Sequence, residues 1–145
     1  MAYLIETIGC IAPFLADRLR AAGIATSDAL LARAGDPADR RRLADSTGID
    51  AAQLLRWAER CDLFRVHGLA RPMAELLESA GIRTVGDLAR EEPASLGGRL
   101  AALNAERGHC PVSPTPRMVA DWIARARRLA PRIAGEPGIA GEPAP

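Results

Sequence analysis

The chain has 145 residues, 48% of them hydrophobic, with a formal net charge of +1 from 19 basic and 18 acidic side chains. That length holds one compact domain or two small halves, and the charge balance argues against a dedicated nucleic-acid binder while leaving room for a local patch. Two Trp, one Tyr and two Phe are few, and with alanine and leucine abundant the composition favours helices over sheets.

Residues 3–8 form a short leading segment that enters the turn Gly9-Cys10-Ile11-Ala12-Pro13. Ala12, Leu15, Ala16 and Leu19 then fall at i, i+3, i+4 and i+7 and predict a helix over 13–22. Gly23 follows as a left-handed C-cap, and Thr26 caps the next short helix. Asp36-Pro37 sets a capping side chain before a proline at the first helical position. Asp50 does the capping for a helix carrying Leu54, Trp57, Ala58 and Cys61.

The turn His67-Gly68-Leu69-Ala70-Arg71 leads into a helix over 71–80, whose stripe is Ala70, Met73, Ala74 and Leu77. Gly81 is its C-cap, and Thr84 with Asp87 forms a capping-box pattern. Thr115-Pro116 opens the last helix, which carries Val119, Trp122, Ile123 and Ala126. No segment reads as a strand. From Pro131 onward a repeated Gly-Glu-Pro element, rich in Gly and Pro, predicts a disordered tail over 131–145.

The chain is internally duplicated. Ala22-Gly23-Ile24 matches Ala80-Gly81-Ile82, Thr26 matches Thr84, and Leu30 matches Leu88. The Trp57 helix matches the Trp122 helix in spacing, with a length change in the middle of each copy. The expected architecture is all-α: two tandem helix-hairpin-helix repeats, 1–64 and 65–130, packed into one compact helical domain, with the tail behind them. In such a hairpin a Gly-apolar-Gly turn lets the backbone take positive φ and lets a phosphate come close. The following helix N-terminus adds to the anion site.

The residues up to about Ile133 resemble a bacterial domain-of-unknown-function family, number 4332. The stretches that carry the resemblance are MAYLIETIGCIAP, AGI-T at Gly23 and Gly81, TGI before the Trp57 helix, DLFRVHGLA and DWIARARRL. The resemblance implies tandem helix-hairpin-helix units but no particular activity. The family's first turn typically reads Ile-Glu-Gly-Ile-Gly-Pro. Here Cys10 and Ala12 stand in the two glycine places, and in the second turn Gly68 is kept while Ala70 replaces the second glycine. Cys10 held at left-handed φ would cost roughly 1–2 kcal/mol, so the first turn is expected to take another shape and bind no phosphate. Gly68, Leu69, Ala70 and Arg71 remain the candidate contact for a nucleic-acid backbone.

Arg40-Arg41-Arg42 is the densest basic run, and consecutive helical positions fan out, so only part of it shares a face. A solvated surface paired with Asp36, Asp39 and Asp45 accounts for it. Arg125, Arg127, Arg128 and Arg132 lie at a helix C-terminus, where cations suit the dipole. Cys10, Cys61 and Cys110 form no C-x-x-C pair and suggest neither a disulfide framework nor zinc. His109-Cys110 sits in a loop. Trp57 and Trp122 read as core.

No nucleophile elbow, P-loop or nucleotide fingerprint is present, and no catalytic residue, metal or cofactor is expected. A signal peptide and a membrane span are not expected either, which makes the cytoplasm the default compartment. The leading expectation is a non-catalytic interaction module that binds another protein. The alternative is a sequence-nonspecific DNA or RNA binder using Gly68 to Arg71 and the arginines at 40–42.

Overall fold

The computed structural model describes residues 3–134. Among them the chain is all-helical, with eight α-helices and no extended pairing beyond one bridge between Leu4 and Thr26. It divides into two units, residues 3–62 with 131–134, and residues 63–130.

In the first unit a 3-10 turn at Ile5–Thr7 leads to α1 (Pro13–Ala21), α2 (Ser27–Ala34), α3 (Pro37–Thr47) and α4 (Ala51–Leu63), whose last residue belongs to the second unit. Proline opens α1 and α3, where a missing N–H costs nothing. Thr26 Oγ1 accepts the N–H of Ala29 at 3.1 Å, and Asp36 Oδ2 accepts those of Ala38 and Asp39 at 3.0 and 3.2 Å. Each such cap contributes about 1 kcal/mol. The leading segment is held without being a helix. Ile5 N–H donates to Ala25 O at 3.0 Å, Ser27 N–H to Tyr3 O at 2.7 Å, and Tyr3 N–H to Ser27 Oγ at 2.9 Å. Ile5 and Ile8 are fully buried, as are Leu19, Ile24, Leu30 and Trp57 of the same unit. Burial of each such side chain contributes roughly 1.5–3 kcal/mol.

The second unit holds α5 (Arg71–Ser79), α6 (Val85–Ala89), α7 (Pro93–Arg107) and α8 (Pro116–Ala126). Thr84 Oγ1 accepts the N–H of Asp87 at 3.0 Å, while Asp87 Oδ2 reaches back to the N–H of Arg83 at 3.0 Å. Thr115 Oγ1 accepts from Met118 N–H at 3.1 Å. α7 starts by the same grammar as α3: Glu92 caps Ala94 and Ser95, with Pro93 at the first position. α8 packs on α6 and α7, and α7 packs on α5.

The length change inside the duplication falls in two places. α2 has 8 residues where α6 has 5, and α3 has 11 where α7 has 15. The connection at 48–50 is short, whereas its counterpart spans 108–115. Asn104 compensates for that longer loop. Its Nδ2 donates to Cys110 O at 3.0 Å and Ser113 Oγ at 3.1 Å, and its Oδ1 accepts Cys110 N–H at 2.8 Å.

Trp57 is fully buried and Trp122 is 2% exposed, so both are core residues. Gly23 and Gly81 have φ of +87° and +85°, the left-handed caps expected at those positions. The tail begins later than expected. Residues 131–134 belong to the first unit, with Ile133 buried and Ala134 N–H donating to Gly35 O at 2.9 Å. One buried isoleucine side chain and one backbone hydrogen bond hold this part of an otherwise Gly/Pro-rich stretch. The remainder of the expected disordered tail, 135–145, lies outside the described residues.

Candidate functional site

The second turn joins α4 to α5. Val66 N–H donates to Leu63 O at 3.0 Å and Leu69 N–H to Val66 O at 3.1 Å, so the chain curls tightly before α5. Gly68 sits at φ +87°, a conformation that only glycine adopts without strain. Leu69 is fully buried and anchors the turn from below, while Gly68, Ala70 and Arg71 are exposed. Among the described residues no acceptor takes the N–H of Gly68 or Ala70. Both lie where the N-terminus of α5 adds its partial positive charge.

A cation stands over this turn. Arg125, from α8, donates through Nη1 to His67 O at 2.8 Å, and the same nitrogen lies 3.7 Å from where a Cβ on Gly68 would be. Arg125 is exposed and its remaining donors have no partner among the described residues. Arg71 is only loosely engaged, with Nε 3.6 Å from Glu75 Oε2. The turn therefore presents two free N–H groups, a helix N-terminus and a fixed guanidinium, which is the donor set for an oxyanion.

The first turn is built differently. Among the described residues none other than glycine has positive φ, and Gly9, one position before Cys10, carries φ +104°. Cys10 therefore avoids the left-handed strain that its place in the pattern would impose. Arg60 on α4 stands at the position equivalent to Arg125, counting from the two tryptophans. It donates through Nη1 to Ile8 O at 3.2 Å. In each unit an arginine thus holds the carbonyl just before the positive-φ glycine, but in the first unit the whole device has slid one residue toward the N-terminus. Arg60 is also buried. The surface here carries Cys10, Pro13 and Phe14, the last 61% exposed with Arg18 5.7 Å over its ring. Glu6 pairs with Arg20, and backbone hydrogen bonding with that guanidinium holds its carboxyl below the usual range.

The arginine run at 40–42 is dispersed. Arg40 is buried at the corner between α2 and α3, donating Nε to Ala34 O at 2.8 Å and Nη2 to Gly35 O at 3.1 Å. It caps the carbonyl end of α2 and is not available to a phosphate. Burial lowers its pKa, with Glu59 and Asp36 acting the other way. Arg42 pairs with Asp39 at 2.7 Å, and Arg41 is exposed. In the second unit the matching corner is capped by Arg127, which donates Nε to Ala89 O at 2.9 Å and Nη2 to Glu91 O at 3.1 Å. In each cluster one arginine, Arg40 or Arg127, is committed to a helix end.

His109 Nε2 lies 2.9 Å from Ser79 Oγ. Ser79 Oγ also lies 3.1 Å from Glu75 O, so the serine ties the His109 loop to α5. Cys61 and Cys110 are buried, and burial pushes both thiols upward, with Cys10 and Glu75 respectively adding to it. Cys10 is exposed. Among the described residues no three His, Cys, Asp or Glu groups gather as metal ligands, and no helix is long and apolar enough to cross a membrane.

Arg125 over the Gly68 turn is the feature that reading the sequence missed. Its signal was the shared spacing from the tryptophans, which places an arginine at the same step of α4 and α8. No curated protein and no solved structure matches the chain. Residues 9–129 match the family model described as Domain of unknown function (DUF4332). That match takes in both turns and every α-helix, and the chain belongs to this family.

Proposed function

We propose that the chain is a non-catalytic module of two helix-hairpin-helix units, and that its second turn contacts the sugar-phosphate backbone of a nucleic acid without reading bases. The observation that carries this reading is Arg125 poised over Gly68, beside the unpaired N–H groups of Gly68 and Ala70 and the start of α5. Backbone N–H groups and a guanidinium position a phosphate but distinguish no base. Gly68, Ala70, Arg71 and Arg125 are the contact residues, with Leu69 as the buried anchor. Arg40 drops out because its donors cap α2.

One turn supplies few contacts, so affinity is expected in the range of nonspecific binding, roughly 10⁻⁴–10⁻⁶ M at physiological salt. Fluorescence anisotropy of labelled single- and double-stranded DNA, titrated at several salt concentrations, tests this. A slope of log K against log salt of about −1 to −2, reduced by about one in Arg125→Gln, is expected. Gly68→Glu should abolish binding. No binding at low salt, or binding indifferent to both substitutions, overturns the reading.

A second reading has its own observation. The first turn exposes Phe14 with Cys10 and Pro13, an apolar tip suited to another protein and not to a phosphate. Phe14→Glu should then eliminate capture of a protein partner from the cell of origin while leaving DNA anisotropy unchanged. Capture that survives Phe14→Glu counts against this turn as the interface.

A further inference from the structure

The end of the chain is a repeat in six-residue steps. Pro131-Arg132-Ile133-Ala134-Gly135-Glu136 is followed by Pro137-Gly138-Ile139-Ala140-Gly141-Glu142, and then by Pro143. The beginning of the first copy is docked on the first unit, at the corner where α2 meets α3. Ile133 is 2% exposed, and Ala134 N–H donates to Gly35 O. The carbonyl of Arg132 lies so close to Gly35 that a Cβ there would overlap it. Gly35 itself has ordinary helical φ of −72°, so glycine is needed for close approach and not for backbone freedom. Arg40 fixes the same corner from the other side by holding Ala34 O and Gly35 O.

The docked copy packs the backbone of its second residue against Gly35, buries an isoleucine side chain at its third and donates a backbone N–H at its fourth. Arg132 is exposed. The second copy differs from the first only at that second position, where Gly138 replaces Arg132 and still supplies a carbonyl. It therefore carries every group through which the first copy is held. We propose that the α2–α3 corner is a docking site for an extended Pro-x-Ile-Ala segment, and that residues 137–140 of the same chain exchange with residues 131–134 for it.

Eleven residues follow Ala134, and Ile139 lies six positions after Ile133, so the second copy reaches the corner by a register slip that loops out residues 131–136. Loop closure costs little more for a few added residues, and the effective concentration of a tethered ligand is high. The slip would lengthen the connection between α8 and the docking corner by six residues, giving the chain two tether lengths with one set of contacts. This inference does not depend on what the Gly68 turn binds.

Methyl NMR of the full chain with labelled isoleucine δ1 groups decides it. In Ile133→Ser the Ile139 methyl should gain nuclear Overhauser contacts to α2 or α3 that the parent chain lacks. The loss of melting temperature in Ile133→Ser should be less than half that of the Ile133→Ser, Ile139→Ser double variant. Ile139→Ser alone should change nothing, and Gly35→Ala should undock both copies. If Ile133→Ser is poorly folded, the unaltered chain is titrated with a synthetic peptide of residues 137–143, which should broaden the Ile133 methyl where a scrambled peptide does not. An Ile139 methyl that gains no such contact in Ile133→Ser, or a peptide without effect, overturns the exchange. Docking of Ile139 that vanishes on dilution also overturns it, because the occupant would then be the tail of a second copy.

Discussion

The two units solve the same two problems with different residues. Each must hold a sharp turn before its first long helix, and each uses an arginine from its last helix to grip the carbonyl ahead of a positive-φ glycine. In the second unit these are Arg125, His67 and Gly68; in the first they are Arg60, Ile8 and Gly9. The first unit reaches the same backbone logic one residue early, because Cys10 occupies the place where glycine would be needed. The consequence is chemical. Arg60 is buried, and the surface beside its turn is Cys10, Pro13 and Phe14. Arg125 is exposed, and the N–H groups beside it have no acceptor. A slip of one residue thus separates a turn whose arginine is buried from one whose arginine and backbone N–H groups face outward.

The corners differ in the same spirit. Arg40 caps α2 from within the following helix and is buried, whereas Arg127 caps α6 from the end of α8 and stays exposed. Removing Arg40 leaves two carbonyls short of a charged donor in a buried place, so Arg40→Ala should cost about 3 kcal/mol, and Arg127→Ala about 1 kcal/mol. Urea denaturation measures both, and equal losses would break the comparison. Asn104→Ala comes next. It strands the N–H and the carbonyl of Cys110 in a loop that has no counterpart in the first unit, and should cost about 2 kcal/mol.

The turns themselves give a sharper test. Gly9→Ala and Gly68→Ala should each cost about 1–2 kcal/mol, because each forces a Cβ into the left-handed region. Cys10→Gly should lose up to about 1 kcal/mol through chain entropy instead of gaining stability. A gain in Cys10→Gly would mean that the positive φ lies at position 10 after all.

The smallest effect belongs to Glu6. Its folded pKa is depressed, so its contribution is present above the unfolded carboxylate pKa and is lost as pH falls through the folded value. Glu6→Gln should therefore lower the melting temperature slightly at neutral pH. The gap to the parent should begin to narrow near the ordinary carboxylate pKa of about 4 and close as pH falls through Glu6's own, lower value.

Much of the local structure was legible because it rests on neighbours in sequence. Thr26, Asp36, Thr84 and Thr115 cap helices where their spacing to the next apolar stripe said they would. α7 carried the same Glu92-Pro93 signal but lacked a clean stripe, since Gly97 and Gly98 interrupt it. The strain expected of Cys10 was also legible, and the chain relieves it by using Gly9.

What the sequence determined alone is the helical order, the duplication and the incompatibility of Cys10 with a glycine's backbone, because φ preferences and capping act within a few residues. Tertiary structure alone decided that Arg40 is spent on α2, that Arg125 holds the His67 carbonyl beside Gly68 across 58 residues of sequence, and that Ile133 docks at Gly35. Those outcomes depend on which carbonyl a long side chain or a returning chain end reaches, and that distance is set only when the helices have packed.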